Sequence, residues 1–196
     1  AIDEIALRQH GLVTSEQAID ALGRSRKNRW VEEHRLVAVQ PRVFRVLGAP
    51  ETWHQAVHAA ALSTSGVVSH RSAAELWGLL PPSGHIEVSI TGTAARSLWP
   101  PAVAHRVKDL RPGLAVDREG FRLTDPIRTV IDLGLVLPKW SVHRAISKGI
   151  STRLFRVSEV AALRQALGRP GRNGTGVVRR ILDENVLYLG KEESEL

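Results

Sequence analysis

The first 46 residues contain three patterns typical of helices, followed by two short runs rich in β-branched residues. An apolar stripe near the start predicts a first helix that Gly11 stops, since glycine readily adopts the left-handed conformation at a helix end. Thr14 and Gln17 have the spacing of a capping box, so a second helix is predicted to begin there and to end at Gly23. A third helix is predicted over residues 25–34.

The runs 36–39 and 43–46 favour strands and are separated by a short turn, which predicts a hairpin. Three helices followed by such a ribbon is the plan of a winged helix-turn-helix. The pattern therefore predicts a DNA-binding domain of this type over residues 1–48, with Arg42 near the tip of the wing and Arg45 on the returning strand. Because helix-turn-helix units also serve in protein–protein contacts, an interaction module that never meets DNA stays an alternative.

The third helix carries residue types that read DNA grooves. Arginine can address guanine through two hydrogen bonds, asparagine can address adenine, and lysine and arginine bind phosphate. A DNA-reading helix needs such residues in its N-terminal half. The DNA-binding residues predicted for the first domain are Arg24, Ser25, Arg26, Lys27, Asn28, Arg29, Arg42 and Arg45.

Basic residues are concentrated in a second segment, within a chain whose formal net charge is +7 and whose isoelectric point is about 10.7. Residues 138–182 contain ten lysines and arginines and one acidic residue. Such a concentration attracts polyanions, and nucleic acid in particular, through release of counterions from the phosphates. The alternative is a solvated surface that only aids solubility. The cations predicted to widen the phosphate contact are Lys148, Arg153, Arg172, Arg179 and Arg180.

The residues after 48 predict a domain of mixed secondary structure. Short strands are expected at Val67–Val68 and around Ile86–Ile90 and Val103–Val107, the last two half-buried because apolar residues alternate. Asp125 followed by Pro126 predicts a helix start. The predicted fold class is therefore α+β: an N-terminal winged helix-turn-helix, then a mixed α/β domain with a small sheet and basic helices.

Several functional classes lose support. The chain has no cysteine, which removes disulfides and thiolate sites, and no apolar run reaches the length of a membrane span. With no secretory signal at its start, the chain is expected in the cytoplasm. His54 and His58 are four residues apart, but no Glu follows His54 as in metalloproteases, and Ser69 next to His70 lacks a nucleophile-elbow motif. We therefore expect no enzyme activity, no metal and no cofactor.

The order and spacing of several short motifs resemble AbiEi-type antitoxins of type IV toxin–antitoxin systems. These motifs are Leu12-Val13-Thr14, Arg35-Leu36-Val37, Val43-Phe44-Arg45, Ser69-His70-Arg71-Ser72-Ala73-Ala74, Leu76-Trp77-Gly78-Leu79, Thr124-Asp125-Pro126, Arg128-Thr129-Val130 and Asp132-Leu133. The resemblance implies an AbiEi-like C-terminal domain over residues 49–190 and a tail over 191–196.

The resemblance also implies a function. In that family the winged helix binds operator DNA and represses the toxin operon, and the C-terminal domain counters a nucleotidyltransferase-type toxin without stable contact. Binding to a repeated operator with self-association on the DNA is expected, and no membrane partner. An alternative is the DNA-targeting portion of a larger nuclease-like protein, because the tail resembles the opening of a nuclease-like domain that longer relatives append and that this chain lacks.

Overall fold

The computed structural model describes residues 2–92, 97–111, 113–168 and 173–194. The described residues form helices and two small sheets, so the protein has mixed α and β structure. The helices are α1 (Ile2–Arg8), α2 (Ser15–Leu22), α3 (Arg24–Glu32), α4 (Trp53–Thr64), α5 (His70–Leu76), α6 (Pro126–Leu133), α7 (Lys139–Ser151), α8 (Val157–Leu167) and α9 (Asn173–Ser194). The strands are β1 (Leu12–Thr14), β2 (Leu36–Gln40), β3 (Val43–Val46), β4 (Val67–Val68), β5 (Glu87–Ile90), β6 (Val103–Arg106), β7 (Ala115–Arg118) and β8 (Phe121–Thr124).

The chain divides into two compact units, each made of discontinuous segments. Unit 1 comprises residues 1–68, 84–108 and 117–122, and unit 2 comprises residues 69–83, 109–116 and 123–196. The predicted boundary after residue 48 does not coincide with a break between these units, since α4 belongs to unit 1. The predicted ranges 1–48, 49–190 and 191–196 stay a prediction about domains.

The first sheet of unit 1 has the order β1-β3-β2, and both pairs are antiparallel. The β2–β3 hairpin was predicted and is confirmed, whereas the pairing of β1 with β3 was not predicted. The capping box at the start of α2 is also confirmed: Gln17 N–H donates to Thr14 Oγ1 at 3.2 Å, and Thr14 N–H donates to Gln17 Oε1 at 2.8 Å. Val13, Leu36 and Phe44 are buried in the core that these elements share with α1 and α2.

The second sheet has the order β6-β5-β4-β8-β7, with β5 antiparallel to β4 and parallel to β6. The prediction that β5 is half-buried is wrong, because all four of its residues are buried. Its Glu87 is 1% exposed, and the Glu87 carboxylate lies 3.2 Å from His105 Nε2 on β6. His105 on the neighbouring strand thus gives the Glu87 carboxylate a polar partner, which allows this face of β5 to be buried. Neither β7 nor β8 was predicted from the sequence pattern.

Unit 2 is built from α5 to α9 around one apolar core that includes Val130, Ile146 and Ile181. The predicted start of α6 is confirmed, since Asp125 is its N-cap and accepts hydrogen bonds from the N–H groups of Ile127 and Arg128 at 2.9 and 3.0 Å. Within the described ranges, no helix is both long and apolar enough to cross a membrane.

A buried ion network fixes α6 in unit 2. The Arg128 side chain is fully buried, and its Nε donates to Asp132 Oδ2 at 2.8 Å. Its Nη2 also donates to Asp109 Oδ1 at 3.1 Å. Since a buried guanidinium is stable only when its charge and its N–H groups are matched, Arg128 has a structural role here.

Candidate nucleic-acid interface

A single glycine separates α2 from α3. Gly23 has a φ of +77°, its N–H donates to the Ile19 carbonyl at 2.7 Å, and its carbonyl accepts from Lys27 N–H at 3.0 Å. This conformation suits glycine because it has no Cβ. Gly23 therefore ends α2 and caps α3, which begins at Arg24, one residue before its predicted start.

One face of α3 attaches it to unit 1. Trp30 and Val31 are half-buried and pack against the core of the first sheet. Lys27 lies on the same face, and its Nζ is 4.6 Å from the centre of the Phe44 ring, within the range of a cation–π contact. No residue of α3 is fully buried. A narrow seam thus holds the helix and leaves the rest of its surface in solvent.

The opposite face of α3 presents Ser25, Asn28 and Arg29, which follow one another at helical spacing, with Arg24 and Arg26 at its edges. All five are exposed. Among the described residues, no carboxylate pairs with any of these three arginines. We name this surface the α3 face. It combines unpaired guanidinium groups with an exposed amide, the groups that can read base edges and bind phosphate.

The structure separates Lys27 from the predicted reading residues. Its ammonium points to Phe44, on the core side of the helix, whereas Asn28 and Arg29 point away from the core. Sixteen residues lie between Lys27 and Phe44 in the sequence, which is why the local pattern could not show this contact. Lys27 does not belong to the α3 face.

The two arginines predicted on the ribbon have acidic partners. Arg42 lies in the β2–β3 turn with a φ of +64° and forms an ion pair with Glu16, while Arg45 forms an ion pair with Glu51. The Arg45 side chain is only 18% exposed. A phosphate must displace a carboxylate to bind either arginine. Phosphate binding by Arg42 or Arg45 is therefore less favourable than phosphate binding by the unpaired arginines of α3.

The turn that contains Arg42 is also held in place. The Arg42 carbonyl accepts from Ser15 N–H at 2.7 Å, and the Pro41 carbonyl accepts from Ser63 Oγ on α4 at 2.8 Å. The turn is therefore anchored both to the start of α2 and to α4, which fixes its position relative to α3.

Arg35 was not predicted as a site residue but lies beside α3. Its Cζ is 3.9 Å from the centre of the Trp30 ring, and its Nη1 is 4.0 Å from Glu33 Oε2. The Arg35 side chain is about half exposed. The signal in the sequence is an arginine five residues after a tryptophan, across the end of a helix.

Three of the five predicted cations of unit 2 lie on α7 and α9. Lys148 is exposed on α7, and Arg153 follows the end of α7 at a φ of +57°. Arg179 and Arg180 are exposed on α9, next to the buried Val178 and Ile181. Arg172 lies outside the described residues. The structure thus places four of the five predicted cations at solvent-exposed positions of unit 2.

The histidines considered for metal binding have another role. His58 Nδ1 lies 2.9 Å from Nδ1 of His10, a partner 48 residues away that the spacing of His54 and His58 could not reveal. Burial lowers the pKa of His58 to about 4, with the nearby His10 as a second cause. Burial also lowers the pKa of His10, with His54 adding to the effect. One ring of the pair must donate a proton to the other, so the contact needs at least one neutral imidazole.

The remaining candidates for chemistry are buried. Ser69 Oγ lies 2.8 Å from His70 Nδ1, and both residues are fully buried, so no substrate can reach this pair in the observed conformation. Within the described part of the chain, no group of three or more His, Asp or Glu side chains is arranged to hold a metal ion.

Comparison with known proteins adds no assignment: no protein-family model matches the chain, and no curated protein matches it. A functional assignment therefore depends on the geometry and charge described above.

Proposed function

We propose that the protein is a sequence-specific DNA-binding transcriptional repressor that uses the α3 face to read its operator. The observation that carries this proposal is the α3 face itself: three exposed arginines without carboxylate partners among the described residues, next to Ser25 and Asn28. A cationic helix that buries only a narrow seam can enter the major groove, where arginine and asparagine contact base edges.

The arrangement around α3 supports a winged helix-turn-helix. Its element order is α1-β1-α2-α3-β2-β3, and its sheet order is β1-β3-β2. In this proposal α2 is the supporting helix, α3 is the reading helix and the β2–β3 turn is a short wing. Arg42 then contacts the DNA backbone only after it leaves Glu16.

In the same proposal, unit 2 extends the contact with phosphate. Its exposed cations Lys148, Arg153, Arg179 and Arg180 would each release counterions without reading bases. The antitoxin role, the autoregulated operon, the cytoplasmic location and the nucleotidyltransferase-type toxin come from the resemblance to AbiEi-type antitoxins alone. No catalytic role is proposed for the chain itself.

Substitution of two arginines tests the proposal. Arg26→Ala with Arg29→Ala is expected to abolish the preference for operator over random duplex, because each lost bidentate base contact removes about 1–3 kcal/mol of discrimination. Affinity is measured by gel shift and fluorescence anisotropy, and circular dichroism checks that the variant is folded.

Arg118→Ala is the matched control, since Arg118 is exposed in unit 1 but pairs with Glu119. This variant is expected to keep the operator preference. Equal discrimination by the wild type and the double α3 variant would refute the assignment of α3 as the reading helix.

A further inference from the structure

The α7 helix of unit 2 carries an exposed tryptophan among basic side chains. Trp140 is 63% exposed, unusual for the largest aromatic side chain. Arg144 and Lys148 follow at intervals of four residues and are exposed too. These three residues form a line along the helix that we name the α7 stripe.

The opposite face of α7 is fully used by the core. Val142, Ala145, Ile146 and Gly149 are buried against the apolar core of unit 2. At helical spacing, these positions lie opposite to Trp140 and Arg144. Among the described residues, the apolar core of unit 2 does not include the α7 stripe, so packing of that core does not explain why a tryptophan stands there.

The charge of the stripe is unbalanced. The α7 helix contains no acidic residue. Among the described residues, no carboxylate pairs with Arg144 or Lys148, while Lys139 beside Trp140 is paired with Glu184. Glu184 thus neutralises the cation beside the indole, and two positive charges follow the indole along the helix.

Spacing along α7 fits an extended polyanion. Four residues of α-helix rise about 6 Å, so Trp140, Arg144 and Lys148 are separated by roughly that distance along the axis. Neighbouring phosphates of an extended nucleic-acid strand are spaced on the same scale. Indole rings stack on bases of any sequence, and cations beside them bind the backbone.

We propose that the α7 stripe binds single-stranded DNA, with an unpaired base stacked on Trp140 and consecutive phosphates held by Arg144 and Lys148. His143, which lies with Trp140 and Arg144 around one shallow depression, contacts the edge of the stacked base. A paired base in an intact duplex offers no free face to an indole, so the stripe selects unpaired strands. The choice of DNA as the nucleic acid rests on the proposed function.

Binding of a short fluorescein-labelled oligothymidylate to the full chain in dilute buffer tests the proposal by anisotropy. Trp140→Ala is expected to weaken binding about five- to 150-fold, the loss of one base–aromatic stack, and Trp140→Phe is expected to recover most of it. Arg144→Ala and Lys148→Ala should each reduce the slope of log affinity against log salt by about 0.7. Trp99→Ala removes an exposed tryptophan from unit 1 and is the matched control with unchanged binding.

Three results would overturn the proposal. The first is no binding of oligothymidylate by the wild type, or equal binding by wild type and Trp140→Ala. The second is stronger binding of oligouridylate, which would assign the stripe to RNA. The third is displacement of the oligonucleotide by polyglutamate at equal charge concentration, which would indicate an acidic protein partner. Duplex binding measured on Trp140→Ala separates this proposal from the proposed function, because in the proposed function the α3 arginines contribute to duplex binding and Trp140 does not.

Discussion

Acid should destabilise the protein through the His10–His58 pair, and the size of the effect follows from the pKa of His58. In the folded chain this pKa is about 4, against an ordinary value of 6.5. Since the folded-state pKa is the lower one, the unfolded chain takes up a proton at a higher pH than the folded chain. The stabilisation is therefore complete above about pH 6.5 and is lost as the pH falls towards 4.

The loss amounts to about 3 kcal/mol over this range, because each pKa unit corresponds to about 1.4 kcal/mol. The His58 side chain is nearly fully buried, so solvent screens little of this effect. The lowered pKa of His10 acts in the same direction. The free energy of unfolding should thus fall with a slope of up to about 1.4 kcal/mol per pH unit for each histidine.

Urea unfolding of the wild type and of His58→Asn, followed by circular dichroism at several pH values between 7 and 4.5, measures this effect. The variant is expected to be less stable at pH 7 but to lose less stability on acidification. His143→Asn, on α7, serves as the control and should keep the steep wild-type profile. Parallel pH profiles of the wild type and His58→Asn would refute the reasoning, since they would place the acid sensitivity elsewhere.

Three further variants probe unit 2. Arg179→Ala with Arg180→Ala should weaken binding of operator and random duplex about equally and flatten the salt slope by about 0.9 for each lost phosphate contact; a change in sequence preference would contradict this assignment. Arg128→Met should lower the free energy of unfolding in urea by about 3–5 kcal/mol, because it leaves buried carboxylates without their guanidinium partner. A loss below about 1 kcal/mol would show that the network is dispensable. Gly149→Ala should lower the free energy of unfolding, measured with heat or urea, by about 1–3 kcal/mol, because a Cβ there would lie 2.1 Å from Cζ of Phe155. Unchanged stability would mean that the Phe155 ring moves freely.

The parts of the fold that the sequence predicted correctly depend on neighbours in the chain. The capping box of Thr14 and Gln17 and the helix start at Asp125 and Pro126 each join residues at most three positions apart, so the side chains alone specify them. The β2–β3 hairpin is similar, because a two-residue turn brings its strands together. Such features keep the same meaning in many tertiary surroundings.

Other parts depend on contacts between distant segments. Lys27 is a residue type that commonly binds DNA, but its ammonium contacts the Phe44 ring of β3 on the core side of α3. The alternation around Val88 indicates one buried face, whereas Glu87 on the other face is buried with His105 beside it. Charge counting located the two basic segments in the sequence, yet it could not show which arginines have carboxylate partners in the fold, as Arg42 and Arg45 do.

The most direct test of DNA binding is a salt series with the full chain on duplex from the region upstream of its own gene and on a scrambled duplex of equal length. Three α3 arginines alone give a slope of log affinity against log salt of about −3, and the four exposed cations of unit 2 would steepen it to about −6. We predict a slope in this range and tighter binding of the upstream duplex than of the scrambled one. The double variant Arg26→Ala with Arg29→Ala should lose this preference. Absence of binding at low salt, or a slope near zero, would contradict the proposal that these cations meet DNA.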